Sequence, residues 1–221
     1  DFNGDGVIDL KSEMVFGPAY YAAAFDRSGS KSTNYLNTIM QAYMDGRMLI
    51  TSANGAILTN EQRSSLKEYA SIIESNWELV LAEATFKYAG SVYKDIVKMS
   101  EEGADKDKIY RAYVKHWGEL KGFSMALQSG RNNLGEVAAK MNELILFGPV
   151  TLDNSYVTGL TSDGGFDRKN RMTWNDYQLN LLKVQQMMVD KFSVSSRVND
   201  QLADLGALAE KLSAESNAET D

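Results

Sequence analysis

Cysteine is absent from the 221 residues, histidine occurs once and proline twice. Without a thiol there is no disulfide, no thiolate metal centre and no cysteine nucleophile. With one imidazole, His116, the chain can assemble neither the two helical histidines of a zincin nor the two Glu-x-x-His pairs of a ferritin-like di-iron bundle. A Ser-His-Asp triad survives the count, but no Gly-x-Ser-x-Gly elbow is present. No apolar run reaches the roughly 18 residues of a membrane-spanning helix. Basic residues are in deficit: 23 Lys and Arg stand against 30 Asp and Glu, a net charge of −7. Phosphate backbones are held by clustered Lys and Arg, so this balance argues against nucleic acid as the main partner.

What is present begins at the first residue. In DFNGDGVIDLKSE, Asp1, Asn3, Asp5 and Asp9 recur at every second or fourth position, with Gly6 in the middle. Such spacing wraps oxygens around one hard cation: side chains from positions 1, 3 and 5, a turn at Gly6, the Val7 carbonyl, and Asp9 directly or through water. The closing acid belongs at position 12, where Ser12 stands, so Glu13 is the acid that closes the ring one residue late. The expectation is an EF-hand- or dockerin-like calcium loop over residues 1–13, structural and weak. The alternative is an Asp/Asn/Gly-rich surface turn. Because the chain opens inside this loop, an upstream part carrying a secretion signal or lipid anchor is expected.

The remainder is rich in Ala, Leu, Met, Lys and Glu, with 43% hydrophobic residues, a composition that favours helices. Residues 14–34 are mixed. An amphipathic helix is predicted from about Thr33 to Arg47, with Leu36, Ile39, Met40, Tyr43 and Met44 on one side. Thr59 and Gln62 form a capping box for a helix running to about Met99, whose stretch from Leu79 to Tyr93 is apolar on nearly every face and so buried. Gly90 is a candidate kink. Further helices are predicted over Asp107 to Gln128, Asn133 to Phe147, Thr173 to Phe192 and Ser196 to Leu212, with 150–172 as loop. The expected architecture is all-α, an up-and-down bundle of about six helices over 14–212, followed by a disordered acidic tail at 213–221.

His116 lies mid-helix in YVKHWGELKGF. Glu119, three residues on, shares its face. The apolar series Ile109, Tyr113, Leu120 and Phe123 turns His116 inward. Glu119 falls among Ala112, Gly122 and Ala126, a seam on which another helix can close. Glu83 has Lys87 at i+4. It is either a surface ion pair or a third ligand beside His116.

His-x-x-Glu on an inward helix face resembles the imelysin-like family of bacterial envelope proteins, through His116 and Glu119. That resemblance implies paired helical bundles, a link to iron acquisition, and a peptidase label for some members. The segments NWELVLAEATFKYAGSVYKDI and YVKHWGELKGFSMALQSGRNN are also similar to an uncharacterised family of helical bacterial envelope proteins that often follow an Asp-rich calcium loop. The expected function is therefore a calcium-binding, non-catalytic extracytoplasmic protein (periplasmic, lipoprotein or secreted). It would bind iron, another transition metal or a small ligand near His116, Glu119 and Glu83, with an envelope or surface protein as a further candidate partner. The alternatives are a metal-dependent hydrolase, with Glu119 as base and His116 as ligand, and a structural or adhesive surface module.

Overall fold

The computed structural model describes residues 4–7, 17–130 and 134–218. Helices dominate: α1 (Gly17–Phe25), α2 (Tyr35–Ser52), α3 (Asn60–Met99), α4 (Lys106–Gln128), α5 (Glu136–Ile145), α6 (Trp174–Phe192) and α7 (Leu205–Ala218). Strands β1 (Ser155–Leu160) and β2 (Phe166–Asn170) separate α5 from α6. Side-chain caps start three of these helices, the one at Thr59 as expected and the one at Asp105 unforeseen. The Thr59 hydroxyl accepts from the Gln62 backbone at 3.2 Å, while the Gln62 side chain accepts from the Thr59 N–H at 2.9 Å. Thr173 accepts from Asp176 N–H at 3.1 Å, and Asp105 from Lys108 N–H at 3.1 Å. Each removes one orphan donor from a first turn.

The 40-residue α3 is the axis of the molecule. Its second half is buried against α4, α6 and α1. The main core joins Phe86, Val92 and Ile96 of α3 with Tyr113 and Leu120 of α4, Met141 of α5, and Leu181 and Met188 of α6. A second cluster holds Ala22 and Phe25 of α1 and Tyr35 of α2 against Val80 and Ala84. None of residues 60–79 is buried. That half of α3 and its neighbour α2 form a two-helix arm extending from the body.

Several expectations are corrected. Residues 17–25, left unassigned in sequence, form α1. Residues 150–172 hold an antiparallel hairpin, with Ser155 opposite Asn170 and Leu160 opposite Phe166. The last helix begins at Leu205, and 196–201 is loop. Helix α7 continues to Ala218 through most of the segment expected to be disordered; 219–221 lie outside the described residues. Gly90 does not break α3, which runs through it without interruption. A Cβ there would stand 1.9 Å from the Asn199 carbonyl oxygen, so the glycine admits the 193–201 loop. On α2, Ile39 is buried, whereas Met40, Tyr43 and Met44 are exposed.

Of the opening loop, Asp5 and Val7 are described; Asp1, Asn3, Asp9 and Glu13 lie outside the described residues. Asp5 Oδ1 accepts from the Val7 N–H at 2.8 Å. Gly4 and Gly6 take φ of +74° and +83°, values that favour glycine.

Candidate functional site

Helices α3 and α4 leave a polar cleft of about 410 Å3 between them. On α3 the residues at i, i+4, i+7 and i+11 are Lys87, Ser91, Lys94 and Lys98, a single stripe, with Asp95 beside it. Lys115, His116 and Glu119 face them from α4, and Asn199 comes from the loop before α7. Four ammonium groups thus meet two carboxylates in a chain that is acidic overall.

Asp95 is buried, and its Oδ2 lies 2.5 Å from His116 Nδ1. This contact occupies Nδ1 and leaves Nε2 as the ring nitrogen outside it. The His116 side chain is 30% exposed, at the cleft wall rather than in the core. Below it, the Tyr88 ring stacks on Phe123 at 5.6 Å, and its hydroxyl is 2.7 Å from that of Tyr21. Lys87 Nζ rests over the Tyr88 and Tyr21 rings, 4.7 and 5.2 Å from their centroids, in cation–π contact. Burial holds the Lys87 ammonium below the usual lysine range, Glu119 pulls it back, and Lys115 lowers it further. Burial also pushes the Tyr88 hydroxyl up, with Tyr21 and Glu119 adding to the shift. Lys94 donates to Asn199 Oδ1 at 3.0 Å, and Asn199 donates to Ser91 Oγ at 2.9 Å.

Glu119 Oε2 is buried without a hydrogen-bond partner. The small-residue seam it was assigned to stays open, since a Cβ at Gly122 would meet nothing within 4 Å.

Glu83 is not part of this cleft. It is fully buried, and both oxygens are occupied. Oε1 accepts from the N–H groups of Ser195 at 2.6 Å and Ser196 at 2.7 Å and from the Tyr35 hydroxyl at 3.2 Å. Oε2 accepts from Arg197 N–H at 3.0 Å. The surface pair with Lys87 and the ligand role beside His116 are both replaced by a structural one: one carboxylate holds three consecutive backbone donors of a distant loop.

The chain matches no known family model, no curated protein and no solved structure. The donor set must therefore speak for the cleft. His116 and Glu119 supply two metal-binding groups, with Asp95 behind the histidine as such ligands usually have. Among the described residues no group of three or more His, Asp or Glu can hold an ion, and four lysines oppose a bare cation. A resident metal held by protein ligands alone does not fit these residues.

The sequence pointed to His116 and Glu119 but missed Asp95, which is 21 residues away on another helix. The three lysines recur at i, i+7 and i+11 on one helix, but each alone reads as surface.

Proposed function

We propose that the chain is a non-catalytic extracytoplasmic binding protein whose α3–α4 cleft takes a small anionic ligand. The observation that carries this proposal is the row Lys87, Lys94 and Lys98 facing Lys115 across the cleft. Ammonium groups on low-dielectric walls concentrate anions, and their pull fades as salt rises. The volume lies in the range of small-molecule sites. A carboxylate chelate of iron suits both halves of the donor set. Its negative charge matches the lysines, and its metal centre matches His116 and Glu119. Hydrolysis is less well supported: His116 hydrogen-bonds Asp95 and, among the described residues, no hydroxyl nucleophile.

Calcium belongs to the same proposal, with Asp1, Asn3, Asp5, Val7, Asp9 and Glu13 as its ligands. The Asp5–Val7 bond and the positive φ at Gly4 and Gly6 suit a loop curled around a cation and equally a plain turn. An ion bound only by the folded chain raises its stability. EDTA is therefore expected to lower the melting temperature and calcium to restore it; an unchanged curve rejects the ion.

The cleft is tested by calorimetric titration with citrate, ferric citrate and zinc chloride. Citrate is expected to bind and to weaken about tenfold or more when Lys87→Met and Lys94→Met are combined, the loss of two charge-assisted contacts. His116→Ala is expected to weaken ferric citrate more than citrate. Tight zinc binding indifferent to the lysines, or no heat from either anion, would reject the proposal.

A further inference from the structure

The arm has two unlike faces. One side of the α2–α3 seam is polar, lined by Asn34, Asn37, Thr38, Gln41 and Asp45. The other is an apolar groove of about 370 Å3 where Tyr43 and Ile50 of α2 meet Leu66, Ala70 and Ile73 of α3. Met40 falls on this side at 100° per residue, beside Arg47 and Thr51, and is 51% exposed. Among the described elements, α2 packs on α1 and α3 alone, so nothing else covers it. Exposed apolar surface of this kind marks an interaction site, and methionine adapts readily to a partner.

The charges along the groove identify the partner. On α3 the edge beside Leu66, Ala70 and Ile73 carries Arg63, Lys67, Glu74 and Glu78. At 100° per residue these four fall on one stripe next to the apolar one. The two cations lie toward the tip and the two anions toward the body. Arg63 with Glu78, and Lys67 with Glu74, are both centred on the peptide between Ala70 and Ser71. A two-fold axis at that peptide brings each cation opposite an anion of an antiparallel second arm, the self-complementarity an isologous interface requires. Small Ala70 lies beside the axis, where helices approach most closely. Glu74 and Glu78 also have contacts within their own chain, which the second copy's cations would join. The 18 residues of α2 make a face about 27 Å long. Two helices wide, it approaches the roughly 800 Å2 per partner of a stable interface.

We infer that the arms of two copies pack antiparallel through this face, giving a symmetric four-helix junction between two bodies. The test is sedimentation equilibrium of the full chain from micromolar to submillimolar concentration, with circular dichroism to confirm folding. A reversible dimer that weakens with salt is expected. Reversing one edge by Glu74→Lys with Glu78→Lys should raise the dimer Kd about tenfold or more, because four cross-pairs turn repulsive. Adding Arg63→Glu and Lys67→Glu to the same chain should restore association to within about threefold of the starting Kd. A monomer at every concentration, or a dimer indifferent to the reversal, would overturn the inference. So would a chain that dimerises only once residues 1–16 are removed, because its own N-terminal segment would then be the occupant.

Discussion

Glu83 shows how much one side chain can be asked to do. A carboxylate buried among apolar neighbours is tolerated only when its lone pairs are filled, and here three backbone N–H groups and a tyrosine hydroxyl fill them. Replacing it by alanine leaves those donors buried and unmatched. At ~1–3 kcal/mol per orphaned group, Glu83→Ala is expected to cost about 3–5 kcal/mol, seen as a lower urea midpoint. Glu83→Gln, which keeps an oxygen for some of the donors, should lose less. Equal stability of the alanine variant and the parent would remove Glu83 from this role. None of this was legible locally. Lys87 at i+4 suggested a solvated pair, but the true partners are Tyr35, 48 residues earlier, and three backbone donors 112 to 114 residues later. The Asp95–His116 contact was hidden in the same way. Sequence spacing reports which residues share a helix face, but not which face of another helix meets them.

Among the elements, the clearest test is a pair of glycines. Gly90 sits where α3 touches the loop after α6, and its missing Cβ leaves room for the Asn199 carbonyl and Gln185 Nε2, which would lie 1.9 and 2.7 Å away. Gly90→Ala therefore has to displace backbone, at about 1–3 kcal/mol. Gly118→Ala faces open space on α4 and should instead gain about 0.5–1 kcal/mol from helix propensity. Opposite signs in the two melting temperatures are the expected outcome; two losses or two gains would contradict the packing described. The starts of α3 and α6 were readable because Thr59 and Thr173 leave a local signature. Helix α1 was not, since GPAYYAAAF is small and aromatic on every side and shows no stripe. The hairpin escaped because its register shifts between Val157 and Gly159, which breaks the alternation that announces a strand.

For the whole molecule, tyrosine sets the alkaline limit. Burial, followed by the hydrogen bond to Asp204, pushes the Tyr93 hydroxyl up to about 12. Burial raises Tyr35, Tyr88, Tyr113 and Tyr177 as well. Tyr113 accepts from Val150 N–H at 2.9 Å, and Tyr177 donates to the Ile145 carbonyl at 3.2 Å. In the unfolded chain these phenols ionise near pH 10. A pKa raised by folding means that the stabilisation is complete below that pH and is lost as pH climbs through 10 toward 12 and beyond. The melting temperature should accordingly be level from pH 7 to 9 on this account and fall above about 10. Phenolate absorbance near 295 nm should rise together with unfolding. Absorbance that rises while the fold persists would show the phenols to be more accessible than their burial implies.

A chain made from its N-terminus reaches Glu83 well before the loop whose N–H groups bond it. At ~5–20 residues per second, the interval of 112 residues to Ser195 lasts about 6 to 20 s. During that wait the middle of α3 carries a carboxyl group whose backbone donors have not yet been made. The body therefore cannot settle around this helix until residues 195–197 have emerged, and a ribosome stalled before residue 195 would hold a loose, protease-sensitive intermediate.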